Sequence, residues 1–224
     1  MEAYRYKNLV YIPLPKHASR SYTHFFRDVL KWSYIENYNI NWTNDIVFAH
    51  LVHPITRYVN GVVQILQQNN LAHLIESEDF LTLLKTSIFF DQHTYPITRM
   101  FDLPQCFQIE WLLLDHPLAT GEEITWAFLK DHGVEIDIKD IPKLNQSTGK
   151  KVELREKIKI HTDKMLESLI FVLQEDLNLY NQINIFTRVF ELTDKPWREI
   201  SYKKNFIEKY GFEELKKTRF NVQQ

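Results

Sequence analysis

One cysteine (Cys106), five glycines and no apolar run long enough to cross a membrane set the first limits on this chain. A single thiol excludes an internal disulfide framework and makes a reducing compartment the expectation. No apolar stretch approaches the roughly 18 residues of a transmembrane helix. The opening residues MEAYRYKNLVY include an acid and lack an apolar core, so no signal peptide is expected. Cytoplasmic localisation is therefore the expectation. There is no excess of charge of either sign, because 27 basic and 29 acidic residues leave a formal net charge of -2. Neither nucleic acid nor an anionic membrane surface is an expected partner, and any anion site must be local. HExxH and zinc-type Cys/His spacings are missing, so no metal site is expected. Repeats and low-complexity segments are missing too. No linker divides the 224 residues, and 44% hydrophobic content suits one globular domain, 1–224.

Apolar patterning predicts alternating strands and helices. Residues 8–13 read as a strand and 19–32 as a helix. The run 45–52 (DIVFAHLV) reads as a buried parallel strand ended by Pro54. Residues 55–70 have helical spacing, and 78–90 form a second helical stretch. Residues 105–114 (QCFQIEWLLL) read as a further strand, and 122–132 as a helix with Gly133 at its C-terminal cap. The stretch 134–150 is rich in turn residues. Residues 152–185 are helical, with one apolar face through Leu166, Leu169, Ile170, Leu173, Leu177 and Tyr180. Alternation of this kind predicts an α/β fold with a parallel β-sheet flanked by helices. Ligands in such sheets lie at the carboxyl ends of the strands.

The richest segment is 8–30, NLVYIPLPKHASRSYTHFFRDVL. An apolar strand enters a polar loop, which opens into an amphipathic helix. Backbone N–H groups and the helix dipole favour an anion at such a junction. Lys16 adds a charge, and Ser19 and Ser21 add donors. The loop has no glycine and does not fit the Walker pattern GxxxxGK[ST].

The loop resembles the 5'-phosphosulfate loop of the sulfotransferase family, commonly I-P-K-x-A/G-S-T/S-S, through Lys16, Ala18, Ser19, Arg20 and Ser21. A second segment, 47–62, is similar to the family's 3'-phosphate segment, F-x-F/V-V-R-D/H-P-x-x-R-x-x-S-x-Y. His53, Pro54 and Arg57 keep their places, whereas the pattern's first Arg falls on Val52 and its Ser on Asn60. A third segment, 91–101, matches D-x-H-x-x-P-Q at Asp91, His93 and Pro96, with Ile97 in place of Gln. Weaker matches are 107–114, the loop Leu144–Ser147 and the helix running to Tyr180. The resemblance covers 8–183, and 184–224 is expected to be a C-terminal helical extension.

The resemblance implies a P-loop-like sulfotransferase fold. The implied reaction transfers a sulfonate from 3'-phosphoadenosine 5'-phosphosulfate (PAPS) to a hydroxyl or amine of a carbohydrate, peptide or small molecule. Lys16 would stabilise the leaving oxygen, and His93 would take the acceptor proton. Lys16, His17, Ala18, Ser19, Arg20, Ser21, Tyr22, Arg57 and Asn60 would hold the nucleotide, without a metal. Arg57 has an alternative reading as a structural arginine, and His50 and His53 are expected to serve structure. Val52, which cannot bind an anion, and Asn60 both depart from the pattern, and together they motivate an alternative: a catalytically impaired binding or interaction protein on the same fold. A nucleoside-phosphate kinase-like enzyme is a third reading, opposed by the missing glycine-rich loop. The acceptor is not legible.

Overall fold

The computed structural model describes residues 2–191 apart from 78, 87–92, 102, 107, 116–118 and 144–148. The matches at Asp91 and Leu144–Ser147 lie outside the described residues, as does the extension beyond residue 191. Five strands form one sheet: β1 (Glu2–Tyr6), β2 (Leu9–Tyr11), β3 (Ser33–Glu36), β4 (Ile46–Leu51) and β5 (Ile109–Leu113). Their order is β3-β1-β2-β4-β5. β2 pairs parallel to β4, and β4 parallel to β5, whereas β1 is antiparallel to both β2 and β3. One strand thus runs against the other four, and the expected parallel sheet is corrected to a mixed one.

The cause is local. Strand 8–13 is the second arm of a hairpin, not the first element of the sheet. Tyr6 pairs with Leu9 across a two-residue turn, and Lys7 adopts φ 54 there. A hairpin this tight forces antiparallel pairing.

The expected helix 19–32 is also shorter than its pattern. α1 (Ser19–His24) passes into one π-helical turn, Phe25–Val29, and the chain then extends into β3. Phe25 and Phe26 both stay in the core through this bulge.

α2 (Pro54–Gln68) follows β4, with Pro54 at the first helical position, where its missing N–H costs nothing. α3 (Phe80–Thr86) and the short α4 (Leu103–Cys106) precede β5. α5 (Gly121–Asp131) starts at a reciprocal capping box between Thr120 and Glu123. Gly133, φ 72, reverses the chain just past its end. The long helical region is three helices, α6 (Lys150–Lys164), α7 (Leu166–Val172) and α8 (Gln174–Glu191), broken at Met165 and Leu173. Those two breaks turn Met165, Leu169, Leu173 and Leu177 inward and leave Ile170 and Phe171 at the surface.

The apolar interior has two parts. One packs the sheet against Tyr22, Phe25, Phe26, Ile124 and Leu129, and against Leu179 and Ile183 of α8. The other joins Tyr58, Val62, Val63 and Leu66 of α2 to Phe80, Leu84, Ile158 and Leu169. From β2 the chain crosses to the β3 edge, and from β4 it crosses to β5. Connectivity therefore reverses between β2 and β4, and their carboxyl ends flank the switch point where open α/β sheets bind ligands.

Candidate functional site

The loop after β2 and the turn after β4 meet at this switch point. His17, fully buried, accepts the Val52 backbone N–H on Nδ1 at 3.0 Å. The next N–H, that of His53, goes the other way, to Asp115 Oδ2 at 2.8 Å in the loop after β5. Side chains from the two flanking loops thus take the two consecutive N–H groups that follow β4. His53 caps α2 by accepting the Ile55 N–H on its own Nδ1 at 3.3 Å.

The loop backbone is unusual. Lys16 (φ 68) and Ala18 (φ 56) both occupy the left-handed region without being glycine. Such conformations cost of order 1 kcal/mol each and persist only where the surroundings impose them. Here the His17 N–H bonds the Leu14 carbonyl, and its imidazole anchors to β4. Lys16, Ser19 and Ser21 are partly exposed and Arg20 is exposed. Ala18, the N-cap, makes no side-chain capping bond.

Three of the nominated nucleotide residues lie inside instead. Tyr22 is buried, stacked on His50 at 3.7 Å between ring centroids, with Thr125 Oγ1 3.1 Å from its hydroxyl. Burial pushes the Tyr22 hydroxyl pKa well above its ordinary value. Burial, then the Arg57 charge and then His50, hold His17 well below the usual histidine range, so it stays neutral. With Nδ1 accepting from Val52, the proton of His17 sits on Nε2, which has no partner among the described residues.

Arg57 is a cross-brace, as its structural alternative anticipated. Its guanidinium is 1% exposed and donates through Nε to the Pro15 carbonyl at 3.2 Å and through Nη1 to the Tyr95 carbonyl. A single side chain therefore ties the Lys16 loop to the His93–Tyr95 turn, which the sequence places far apart. Asp176 of α8 holds the far side of that turn. It accepts the Ile97 N–H at 2.7 Å and the Thr98 N–H and hydroxyl at 2.9 and 2.8 Å. Burial raises the Asp176 pKa, against three hydrogen bonds and the Arg57 charge, which lower it.

His93 lies against α2. Its Nε2 is 3.0 Å from Gln64 Nε2, so the Gln64 amide donates to the imidazole and keeps the lone pair on Nε2. Its carbonyl packs on Gly61, where a Cβ would sit 2.5 Å from that oxygen. Asn60, one residue earlier, is partly exposed. Sequence reasoning missed Gln64, Asp115 and Asp176. Gly61, in the interior of an amphipathic helix, was the available signal for the close approach of the 93–95 turn.

Among the described residues no cluster of three or more His, Cys, Asp or Glu is arranged to hold a metal ion, and no helix is long and apolar enough to cross a membrane. Set beside protein-family models, curated proteins and solved structures, the chain matches none of them.

Proposed function

We propose that the chain transfers a sulfonate group from a nucleoside 5'-phosphosulfate, PAPS in the family it resembles, to a hydroxyl or amine acceptor. The observation that carries this reading is the loop at the β2/β4 switch point. It carries Lys16, Ser19 and Ser21 at partly exposed positions and Arg20 at an exposed one, has two left-handed non-glycine residues, and is anchored by His17 and Arg57. Backbone strain maintained by two buried anchors is a reason to look for ligand chemistry at that place.

In the proposed step the acceptor oxygen or nitrogen attacks sulfur in line. A new S–O or S–N bond forms while the bond from sulfur to the bridging phosphate oxygen breaks. Lys16 neutralises the charge that develops on the departing oxygen. The acceptor's proton passes to the His93 Nε2 lone pair once substrate displaces the Gln64 amide. Arg57 positions the two segments through their carbonyls and does not touch the donor.

The test is sulfonate transfer from PAPS, or from adenosine 5'-phosphosulfate, to a panel of sugars, peptides and phenols. Lys16→Ala is expected to lower turnover by about 100-fold or more, the scale of losing one group that stabilises transition-state charge. Unchanged turnover in Lys16→Ala would overturn the mechanism. A second reading, a binding protein on the same fold, is favoured by Val52, whose side chain offers nothing to an anion. It predicts nucleotide binding at the loop without transfer to any acceptor.

A further inference from the structure

We propose that the nucleotide accepted by this chain carries a free 3'-hydroxyl, and that Asp115 selects for it; this rests on the sulfonate-transfer reading above. In the resemblance, the segment around Val52 receives the nucleotide's second phosphate. A phosphate there needs a cation or uncommitted N–H groups. Among the described residues, the Val52 side chain and the N–H groups of residues 52, 53 and 55 offer neither. Val52 is apolar, and its N–H goes to His17. The His53 N–H is taken by Asp115, and the Ile55 N–H by the His53 ring.

What stands at this point is a carboxylate. Asp115 is exposed and held by two fixed donors, the His53 N–H at 2.8 Å on Oδ2 and the Tyr180 hydroxyl at 3.0 Å on Oδ1. The Tyr180 and His53 rings meet edge to face at 4.9 Å, which fixes the orientation of both. A carboxylate has about four acceptor positions, and the described residues fill two of them. It accepts ribose hydroxyls and repels a phosphate. The same chemistry separates the two dinucleotide classes, in which an acid reads a hydroxyl and an arginine reads a phosphate. The loop cations and Asp115 together therefore suit a ligand anionic at its 5' end and hydroxylated at its ribose.

Calorimetric titration of the full chain with adenosine 5'-phosphate and with 3'-phosphoadenosine 5'-phosphate tests this. The wild type is expected to bind the first about tenfold more tightly, the scale of one like-charge contact at a surface. Asp115→Asn keeps the shape and an acceptor for the His53 N–H but loses the charge, and is expected to remove most of that preference. Val52→Arg, which leaves the Asp115 contacts intact, is expected to narrow it too and serves if Asp115→Asn melts below assay temperature. Tighter wild-type binding of the 3'-phosphorylated nucleotide, or an unchanged ratio in a folded Asp115→Asn protein, overturns the selection by Asp115 and leaves sulfonate transfer standing. Binding of neither nucleotide overturns both.

Discussion

Two buried histidines near the loop set how the fold responds to acid. His50 is 1% exposed, with Nε2 3.0 Å from Thr125 Oγ1, and burial pushes its pKa down to about 3. His17 is lowered as well. Below the ordinary value of 6.5 the unfolded chain binds protons on these imidazoles that the folded chain refuses. Stability is then full above pH 6.5 and falls as pH drops toward the folded pKa. From pH 7 to pH 5 the expected loss is about 2 kcal/mol from His50, and His17 adds to it in the same direction. Half-buried His53 acts in the same direction. Asp176, with its raised pKa, opposes them: its contribution is full below the ordinary 3.8 and is lost as pH rises through its folded value. The urea midpoint should drop between pH 7 and pH 5, and drop less in His50→Gln; a flat profile would contradict the buried neutral pair. Gly61→Ala is decided by competing magnitudes. Better helix propensity favours alanine by up to about 1 kcal/mol. The new Cβ, 2.5 Å from the His93 carbonyl oxygen and 2.9 Å from Thr94 Cγ2, costs roughly 1–3 kcal/mol by overpacking. Net destabilisation is expected, read as a lower melting temperature, and a stabilised variant would contradict the close packing of the 93–95 turn on α2.

α8 organises the site from one face. Asp176 and Tyr180 are one helical turn apart, and they fasten the 97–99 turn and Asp115 respectively. Tyr180→Phe should therefore leave the fold intact, lose about 1 kcal/mol for the hydrogen bond, and weaken nucleotide selection by freeing Asp115. Equilibrium denaturation and the two-nucleotide titration read these effects separately. α5 is a plainer case: Thr120→Ala removes half of the capping box and is expected to cost about 1 kcal/mol in chemical denaturation. Legibility also differed by element. β4, β5 and α2 were readable because burial on both faces, or a helical stripe, leaves an unbroken apolar pattern. β3 was not, because a short edge strand such as Ser-Tyr-Ile-Glu is half exposed and shows no apolar run; β1, though inside the sheet, mixes Glu2 and Arg5 among its apolar residues and shows no such run either. The loop was readable from its residue types. The inward turn of His17 and Tyr22 was not, because it follows from long-range contacts with Val52, His50 and Thr125.

At the scale of the whole molecule, one buried arginine joins what the chain keeps apart. Arg57 on α2 holds the Pro15 and Tyr95 carbonyls, and with them the segments that carry Lys16 and His93. Arg57→Met removes the donors and leaves two inward carbonyls and Asp176 without their cation. A cost of about 3–5 kcal/mol is expected, with loss of nucleotide binding even where the variant still folds. The sheet's reversal between β2 and β4 gives the location, and this brace gives the spacing. Binding of a 5'-phosphorylated adenosine nucleotide at the loop is the claim on which the rest depends. Calorimetric titration of wild type and Lys16→Ala with adenosine 5'-phosphosulfate tests it most directly. Micromolar binding that weakens about tenfold or more in Lys16→Ala is the predicted result. No binding, or equal binding by the two proteins, would contradict it.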